Sequence, residues 1–564
     1  AFIAAKVLML DDSKTTPSHL LNDGTDYVPT NKWVVFGHHF AAISGAGPLI
    51  GPVLAAQYGW GPGAMWILIG SVFAGAVHDF IILFASVRHK GQSLATIARK
   101  EVGPITGTAT ALAILFIIVV ALAGLGIAVV NALFQNAWGV FTLSATIPIA
   151  IAVGLYMFKL RPGAIKSGSL IGFTLVMLAV FCGPYIANSS LGQYFLLSKE
   201  TLSVALPVWL LLAPRDYLST YMKIGTVILL AIGIFIVHPP LHMPFTTQYI
   251  AGGGPVIPGP VWPYVFITIA CGAISGFHSL IGSGTTPKML DKESEARMIG
   301  YGGMLTEGFV AMMALIAACV LIPADYFAIN SKPEIFAKLG MTVQNLPELS
   351  QMVGIDIEGR PGGAVSLAVG MAYIFSSIPG MKHLMAYWYQ FAIMFEALFI
   401  LTTIDAGTRV ARYILQDIFG EVYKPLKNTQ WVPGMIFTSA LVSFSWGYLL
   451  YGGEVATIWP LFGVANQLLA VLALAIGVTI ILKISKPVYA LVAFVPLVFL
   501  ATTVISAGIM NINMFLGKHT FDGNLNAGIS ALLITLVFVI LADSLLKWNQ
   551  LLKNDQPIGM NIEA

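Results

Sequence analysis

With 57% apolar residues and only 10% charged, against roughly 25% charged in soluble globular proteins, this 564-residue chain carries too little charge to be surrounded by water. A formal charge of only +3 gives no reason to expect a nucleic-acid partner. The apolar residues come in windows of about 20 without strand alternation, which excludes a barrel and leaves an all-α polytopic protein partnered by membrane lipids.

Fourteen transmembrane helices are expected, near 36–57, 64–86, 108–132, 139–158, 168–187, 201–219, 224–238, 263–284, 298–322, 383–404, 434–451, 455–482, 488–510 and 526–546. They divide into a first membrane half over 36–238, a second over 263–482 and additional C-terminal helices over 488–546. Segments 1–35 and 547–564 read as cytoplasmic, and 239–262, with no Lys or Arg but with Gly252-Gly253-Gly254-Pro255, reads as an extracellular loop. The apolar stretch 362–380 is placed in an extracellular loop and hairpin over 323–382, because a further span there would put Arg409, Arg412, Lys424 and Lys427 outside. Of the 29 Lys and Arg, 23 then share the side of the amino terminus, five take the other and Lys382 sits at the hairpin, so the amino terminus is expected in the cytoplasm. Cys182, Cys271 and Cys319 have no pair spacing and read as small packing residues.

The first span carries Ala42-Ile43-Ser44-Gly45 followed by Leu49-Ile50-Gly51, and the span at 263–284 repeats it as Ala273-Ile274-Ser275-Gly276 and Leu280-Ile281-Gly282. Seven spans separate the two starts, so the copies have opposite orientation, as in the inverted repeats of alternating-access carriers. Two broken helices are therefore expected, near Ser44 to Pro48 and near Gly276 to Gly284. Ser44, Gly45 and Gly47 in one, and Ser275, Gly276, His278 and Ser279 in the other, are the candidate substrate-binding residues. Half-helix termini there present free amides to a carboxylate and free carbonyls to a cation. The competing explanation is close helix packing by small residues.

In chain order, the ionisable candidates for proton coupling or gating begin with His38 and His39, which open the first span and are equally read as interfacial. His78 and Asp79 lie deep in the second span, either as a proton relay or as a helix lock. Glu307 and Glu396 stand near mid-span, where a charge costs roughly 2.5 to 3.5 kcal/mol or more, so each is expected to be protonated or paired. Glu454 sits at a span edge and reads as interfacial, and the amides Asn466 and Gln467 either bond a neighbouring helix or line a cavity.

Four stretches carry a family resemblance: Phe36-Gly37-His38-His39-Phe40-Ala41-Ala42-Ile43 with Gly45-Ala46-Gly47-Pro48, Gly75-Ala76-Val77-His78-Asp79-Phe80, Ala213-Pro214-Arg215-Asp216-Tyr217-Leu218, and the run from Phe395-Glu396 to Asp405-Ala406-Gly407-Thr408-Arg409. Over nearly its whole length the chain resembles the carbon starvation protein A family. The resemblance implies bacterial inner-membrane carriers for peptide uptake during carbon starvation, some of them proton-coupled pyruvate importers. It also implies the five-plus-five inverted repeat of the amino acid, polyamine and organocation superfamily, a LeuT-like core plus extra helices. From that superfamily it implies a cation site at Thr402, Thr403 and Asp405, the alternative being back-bonded hydroxyls and an Asp405 to Arg409 pair. Family members carry apolar spans upstream of the equivalent of Ala1, so a preceding membrane segment is expected.

The residues and the resemblance together give a secondary transporter coupled first to protons, with sodium as the alternative ion, and no metal or other cofactor. Its cargo is a small peptide, or else pyruvate as a short carboxylate. An intramembrane hydrolase with Ser275 as nucleophile and His278 as base suffers from poor geometry three residues apart on one helix. A channel does not account for inverted broken helices, and the absence of a Gly-Lys-Ser/Thr phosphate loop argues against ATP drive.

Overall fold

The computed structural model describes residues 1–24, 26–161, 165–211, 216–420, 422–428 and 431–553. The motif residues Ala213, Pro214 and Arg215 and the tail 554–564 lie outside the described residues. Among those described the regular structure is helical, apart from an isolated bridge between Thr30 and Leu290.

The helices that matter here run α1 (Lys32–Ile43), α2 (Gly47–Ala55), α3 (Trp60–Arg88), α4 (Pro104–Leu133), α5 (Ala137–Leu155), α6 (Ile165–Ala187), α7 (Lys199–Leu211) and α8 (Asp216–Val237). After a loop following α8 come α9 (Val261–Thr268), α10 (Phe277–Gly284), α11 (Arg297–Cys319), α12 (Ala364–Ser376), α13 (Met385–Gly420), α14 (Val432–Gly452), α15 (Val455–Ile484), α16 (Leu491–Leu516) and α17 (Phe521–Lys553). Among the described residues ten helices are long and apolar enough to cross a bilayer, or eleven with the pair α1 and α2, which is bent by 47°. The expected fourteen exceed this by 201–219, 224–238 and 263–284. The last is cut into pieces of at most 8 residues, too short to cross singly.

Burial separates core from lipid-facing helices. In α4 and α15, 83% of the most apolar window is inside the protein, whereas in α6, α14 and α17 the share is 28%. Helices apolar on every side belong in a membrane bundle's interior, and the outer ones expose Phe173, Phe181, Phe437, Phe444 and Phe538 to lipid. Helix α12, 13 residues long and almost wholly buried, is too short to cross. Helix α13 extends 16 residues past the expected end at 404, since Asp405 and Arg409 pair one turn apart and let it continue as a polar helix.

Charged residues pair across the loops at each end of the bundle. Arg88 and Glu293 form a nearly buried ion pair at 2.7 Å, and Glu101 joins His89 at 2.8 Å and Lys483 at 2.7 Å. The amino-terminal segment seals the same face, with Val28 and Thr30 amides donating to the Lys288 and Met289 carbonyls. On the opposite face Lys332 pairs with Glu454, and Arg360 donates to the Phe134 carbonyl at 2.5 Å.

Candidate functional site

Both repeated phrases are breaks. In the first, α1 stops at Ile43 and α2 starts at Gly47. In the second, Ile269 is already non-helical, a single helical turn covers Ala270–Ala273, and Ile274 is extended at φ −159° and ψ 123° before α10 begins. The second break thus falls at 274–276, and the stretch 277–284 expected to contain it is helix. Gly282 and Gly284 lie within α10 itself, while Gly276 beside Ser275 stands at the interruption.

The two segments pass one another closely and in opposite senses. A methyl built on Gly47 falls 2.2 Å from Cys271 Sγ, and one on Gly51 falls 2.5 Å from the Thr268 carbonyl oxygen. Rising numbers on α2 thus meet falling numbers on the second segment, which makes the pair antiparallel.

At the second break, backbone groups released from helical bonding are taken up by side chains, as they must be away from water. Gln467 Nε2 donates to the Phe266 carbonyl at 2.5 Å, while the indoles of Trp66 and Trp459 reach the Ile269 and Thr268 carbonyls. On the far side Asn466 Oδ1 accepts from the Phe277 amide at 2.9 Å, capping α10, and lies 3.2 Å from Ser275 Oγ. Adjacent amides on α15 therefore hold the two ends of one interruption. Gly276 is pressed so hard on α15 that a methyl would sit 2.2 Å from the Asn466 carbonyl oxygen.

Four of the sequence candidates converge just beyond this break. His278 Nδ1 is 2.7 Å from Asp79 Oδ2, His78 Nδ1 is 2.7 Å from Asp79 Oδ1, and His278 Nε2 is 2.8 Å from Glu307 Oε2. All four side chains are buried, on α3, α10 and α11. The Glu307 contact is at ion-pair distance but off hydrogen-bond alignment, and its other oxygen has no hydrogen-bond partner among the described residues. His278 turns both ring nitrogens to carboxylates, so it is not placed as a base for Ser275, whose hydroxyl faces Asn466 and Cys271. Ser279 bonds the Gly276 carbonyl at 2.6 Å within its own turn.

The first break is held by a residue the sequence reading missed. Lys223, fully buried on α8, donates from Nζ to the Ala41 carbonyl at 3.0 Å and the Ser44 carbonyl at 3.3 Å, and its ammonium lies 4.4 Å from the Phe399 ring centroid. Its signal was a single charge wedged between two short apolar stretches, which passes for a loop lysine when both stretches are taken as spans. Thr402 and Thr403 bond the Leu398 and Phe399 carbonyls of their own helix, and Asp405 pairs with Arg409. Thr403 nonetheless faces the break, its Oγ1 2.6 Å from a methyl built on Gly45. Ser44 Oγ is buried with no hydrogen-bond partner among the described residues.

The remaining candidates are dispersed. His39 Nδ1 is 2.8 Å from Thr286 Oγ1, so it joins α1 to the turn after α10, whereas His38 is exposed. Glu454 is paired with Lys332 at 2.7 Å, away from the Arg88–Glu293 face. Glu396 is buried on α13 and stands apart from the histidine cluster, with neither carboxylate oxygen hydrogen-bonded to a described residue.

Comparison with solved structures finds a manganese transporter mutant of Eremococcus coleocola at TM-score 0.45 and 14% identity, covering 93% of this chain and 98% of that one. This likeness is too distant to support an argument. The chain is 54% identical over 566 residues to the peptide transporter CstA of Bacillus subtilis (strain 168), covering 98% of this chain and 94% of the relative. It is 47% identical to the peptide transporter CstA of Escherichia coli (strain K12), covering 90% and 78% of the two chains. It is 45% identical to the pyruvate/proton symporter BtsT of the same strain, covering 88% and 77%. A family model described as carbon starvation protein CstA matches residues 1–507, and the chain belongs to that family of multi-pass membrane proteins.

Proposed function

We propose that this protein is a proton-coupled secondary transporter that imports small peptides across the bacterial inner membrane, with its amino-terminal segment cytoplasmic. The observation that carries the reading is the buried chain His78, Asp79, His278 and Glu307, built against the break between α9 and α10. A histidine between two carboxylates in a bilayer core is a costly arrangement with no packing advantage over apolar residues, and it is suited to taking up and releasing a proton. Glu307, held at ion-pair distance with one oxygen unbonded among the described residues, is the group assigned to load the proton. Neutralising it changes the attraction on His278 and so the position of α10, whose amino terminus borders the break. Transport rather than hydrolysis is supported by the position of Ser275, which has no base beside it.

A second reading, proton-coupled pyruvate symport, is favoured by the 45% identity to BtsT. Uptake by purified protein in liposomes, comparing labelled dipeptides with pyruvate under imposed proton and sodium gradients, tests both. Dipeptide accumulation driven by a proton gradient is expected. Accumulation of pyruvate alone overturns the peptide reading, and accumulation driven only by sodium overturns the proton reading.

A further inference from the structure

At the end of the bundle where Glu454 pairs with Lys332, a cavity of about 220 Å³ lies between the last turn of α14 and the first turn of α17. Its lining includes Tyr448 and Gly452 from α14, Lys518 from the turn between α16 and α17, and Asp522 and Asn526 from α17. A methyl built on Gly452, the last residue of α14, would lie 3.5 Å from Asp522 Oδ2, so this carboxylate abuts the end of the neighbouring helix. Lys518 and Asp522 are exposed and opposite in charge, yet neither forms an ion pair or a side-chain hydrogen bond among the described residues. Asn526 is 8% exposed, and its amide is equally without a hydrogen bond there. One space thus holds a cation, an anion and a nearly buried amide that the protein itself leaves unpartnered, although such an amide is costly without a ligand or water.

Towards the bilayer the two flanking helices are bare. Leu441, Phe444 and Tyr448 follow one another at helical spacing on α14 and are all exposed. On α17, Leu532 and Val539 are exposed seven and fourteen residues after Leu525, which also lines the cavity. These apolar stripes lead up to the charged mouth, with Tyr448 and the exposed Tyr451 where aromatic rings bridge lipid and water. We propose that the cavity binds the headgroup of a phosphatidylethanolamine, in the outer leaflet for the orientation given above. Lys518 takes the phosphate, Asp522 accepts from the ammonium, and Asn526 donates to a phosphate or ester oxygen, while the acyl chains lie along the stripes. A soluble zwitterion such as a dipeptide matches the charges but leaves the stripes unused. A phosphatidylglycerol headgroup brings a negative charge and no cation to a mouth that also carries Asp522 and Glu454. The bound lipid ties α14 to α17, and this holds whichever cargo the protein carries.

Native mass spectrometry of the full chain in detergent, titrated with dioleoyl phosphatidylethanolamine, phosphatidylcholine and phosphatidylglycerol, tests the site. Phosphatidylcholine has the same charges but no N–H donors on its cation, so it isolates the Asp522 contact. The parent is expected to bind phosphatidylethanolamine about fivefold more tightly than either of the others, the scale of one exposed charge-assisted contact. Asp522→Asn should bring its preference over phosphatidylcholine close to one. Lys518→Met should weaken phosphatidylethanolamine and phosphatidylcholine alike by a few-fold and leave the preference between them. Both side chains are exposed, so neither substitution disturbs the packing of the bundle. Equal binding of the three lipids by the parent overturns the site, as does a preference unchanged in Asp522→Asn. Release of bound phosphatidylethanolamine by added dialanine also overturns it, since the cavity would then take a soluble zwitterion.

Discussion

Burying ionisable groups in a bilayer is costly unless they are paired, and at the scale of single residues this protein pairs several of them. Glu307 belongs to the paired kind. Glu307→Gln is expected to abolish accumulation against a gradient while sparing exchange, because an amide cannot load a proton; Asp79→Asn should damage both, since it removes the acceptor that orients His78 and His278. Counterflow alongside gradient-driven uptake separates the two outcomes, and normal accumulation by Glu307→Gln would place coupling elsewhere. Ser275→Ala should leave dipeptide binding within about 1 kcal/mol of the parent, since the hydrogen bond it removes is to Asn466 inside the protein, whereas Ser275→Phe should block binding. Cleavage of a dipeptide by the parent that vanishes in the alanine variant would overturn the transporter assignment.

At the scale of elements, the two breaks solve one backbone problem with different chemistry. The carbonyls of the first are held by the Lys223 cation, those of the second by Gln467 and two indoles, with Asn466 capping the helix that follows. Gly276→Ala would drive a methyl into the backbone of α15 and is expected to cost several kcal/mol, visible as lost thermal stability before any loss of binding is considered. Gly284→Ala, whose added methyl meets nothing within 4 Å, should leave stability almost unchanged. The latch formed by Glu101, His89 and Lys483 adds a pH dependence. Glu101, on the short helix between α3 and α4, would be raised by burial alone, but hydrogen bonds from His89 and Lys483 and the Lys483 charge hold it down to about 2 from an ordinary 4.5. A carboxylate depressed in the folded state contributes its stability above about 4.5 and loses it as pH falls toward 2. Hydrogen exchange of residues 94–101 in detergent should therefore be slow and flat above pH 5, after correction for intrinsic rates, and accelerate below 4.5; Lys483→Met should speed it at every pH.

For the whole molecule, sidedness follows from which loops meet. Arg88, Glu293, Glu101 and Lys483 close one face, and Lys332, Glu454 and Arg360 occupy the other. With the amino terminus cytoplasmic, Lys338→Cys should react with an impermeant thiol reagent added to intact cells, and Lys292→Cys only after the membrane is opened. The reverse pattern would invert the topology and make the latch an outer gate.

The sequence by itself determined the solvent, the helical class, the ten long spans among the expected fourteen and the existence of two interruptions, the second placed a few residues late, because bilayer thickness fixes span length and only Gly, Ser, Pro and His stand out against an apolar background. It also named His78, Asp79, His278 and Glu307 singly, since a charge in a membrane span is rare enough to be visible one residue at a time. Their assembly into one cluster was decided by tertiary structure, for these residues lie on three helices up to 229 positions apart, and no local pattern encodes which faces meet. The same holds for Asn466 and Gln467, whose role depends on the segment packed against them, and for Lys223. A lysine between two apolar stretches looks the same whether its ammonium reaches water or the carbonyls of a broken helix, and only the packing of α8 against α1 and α13 decides which.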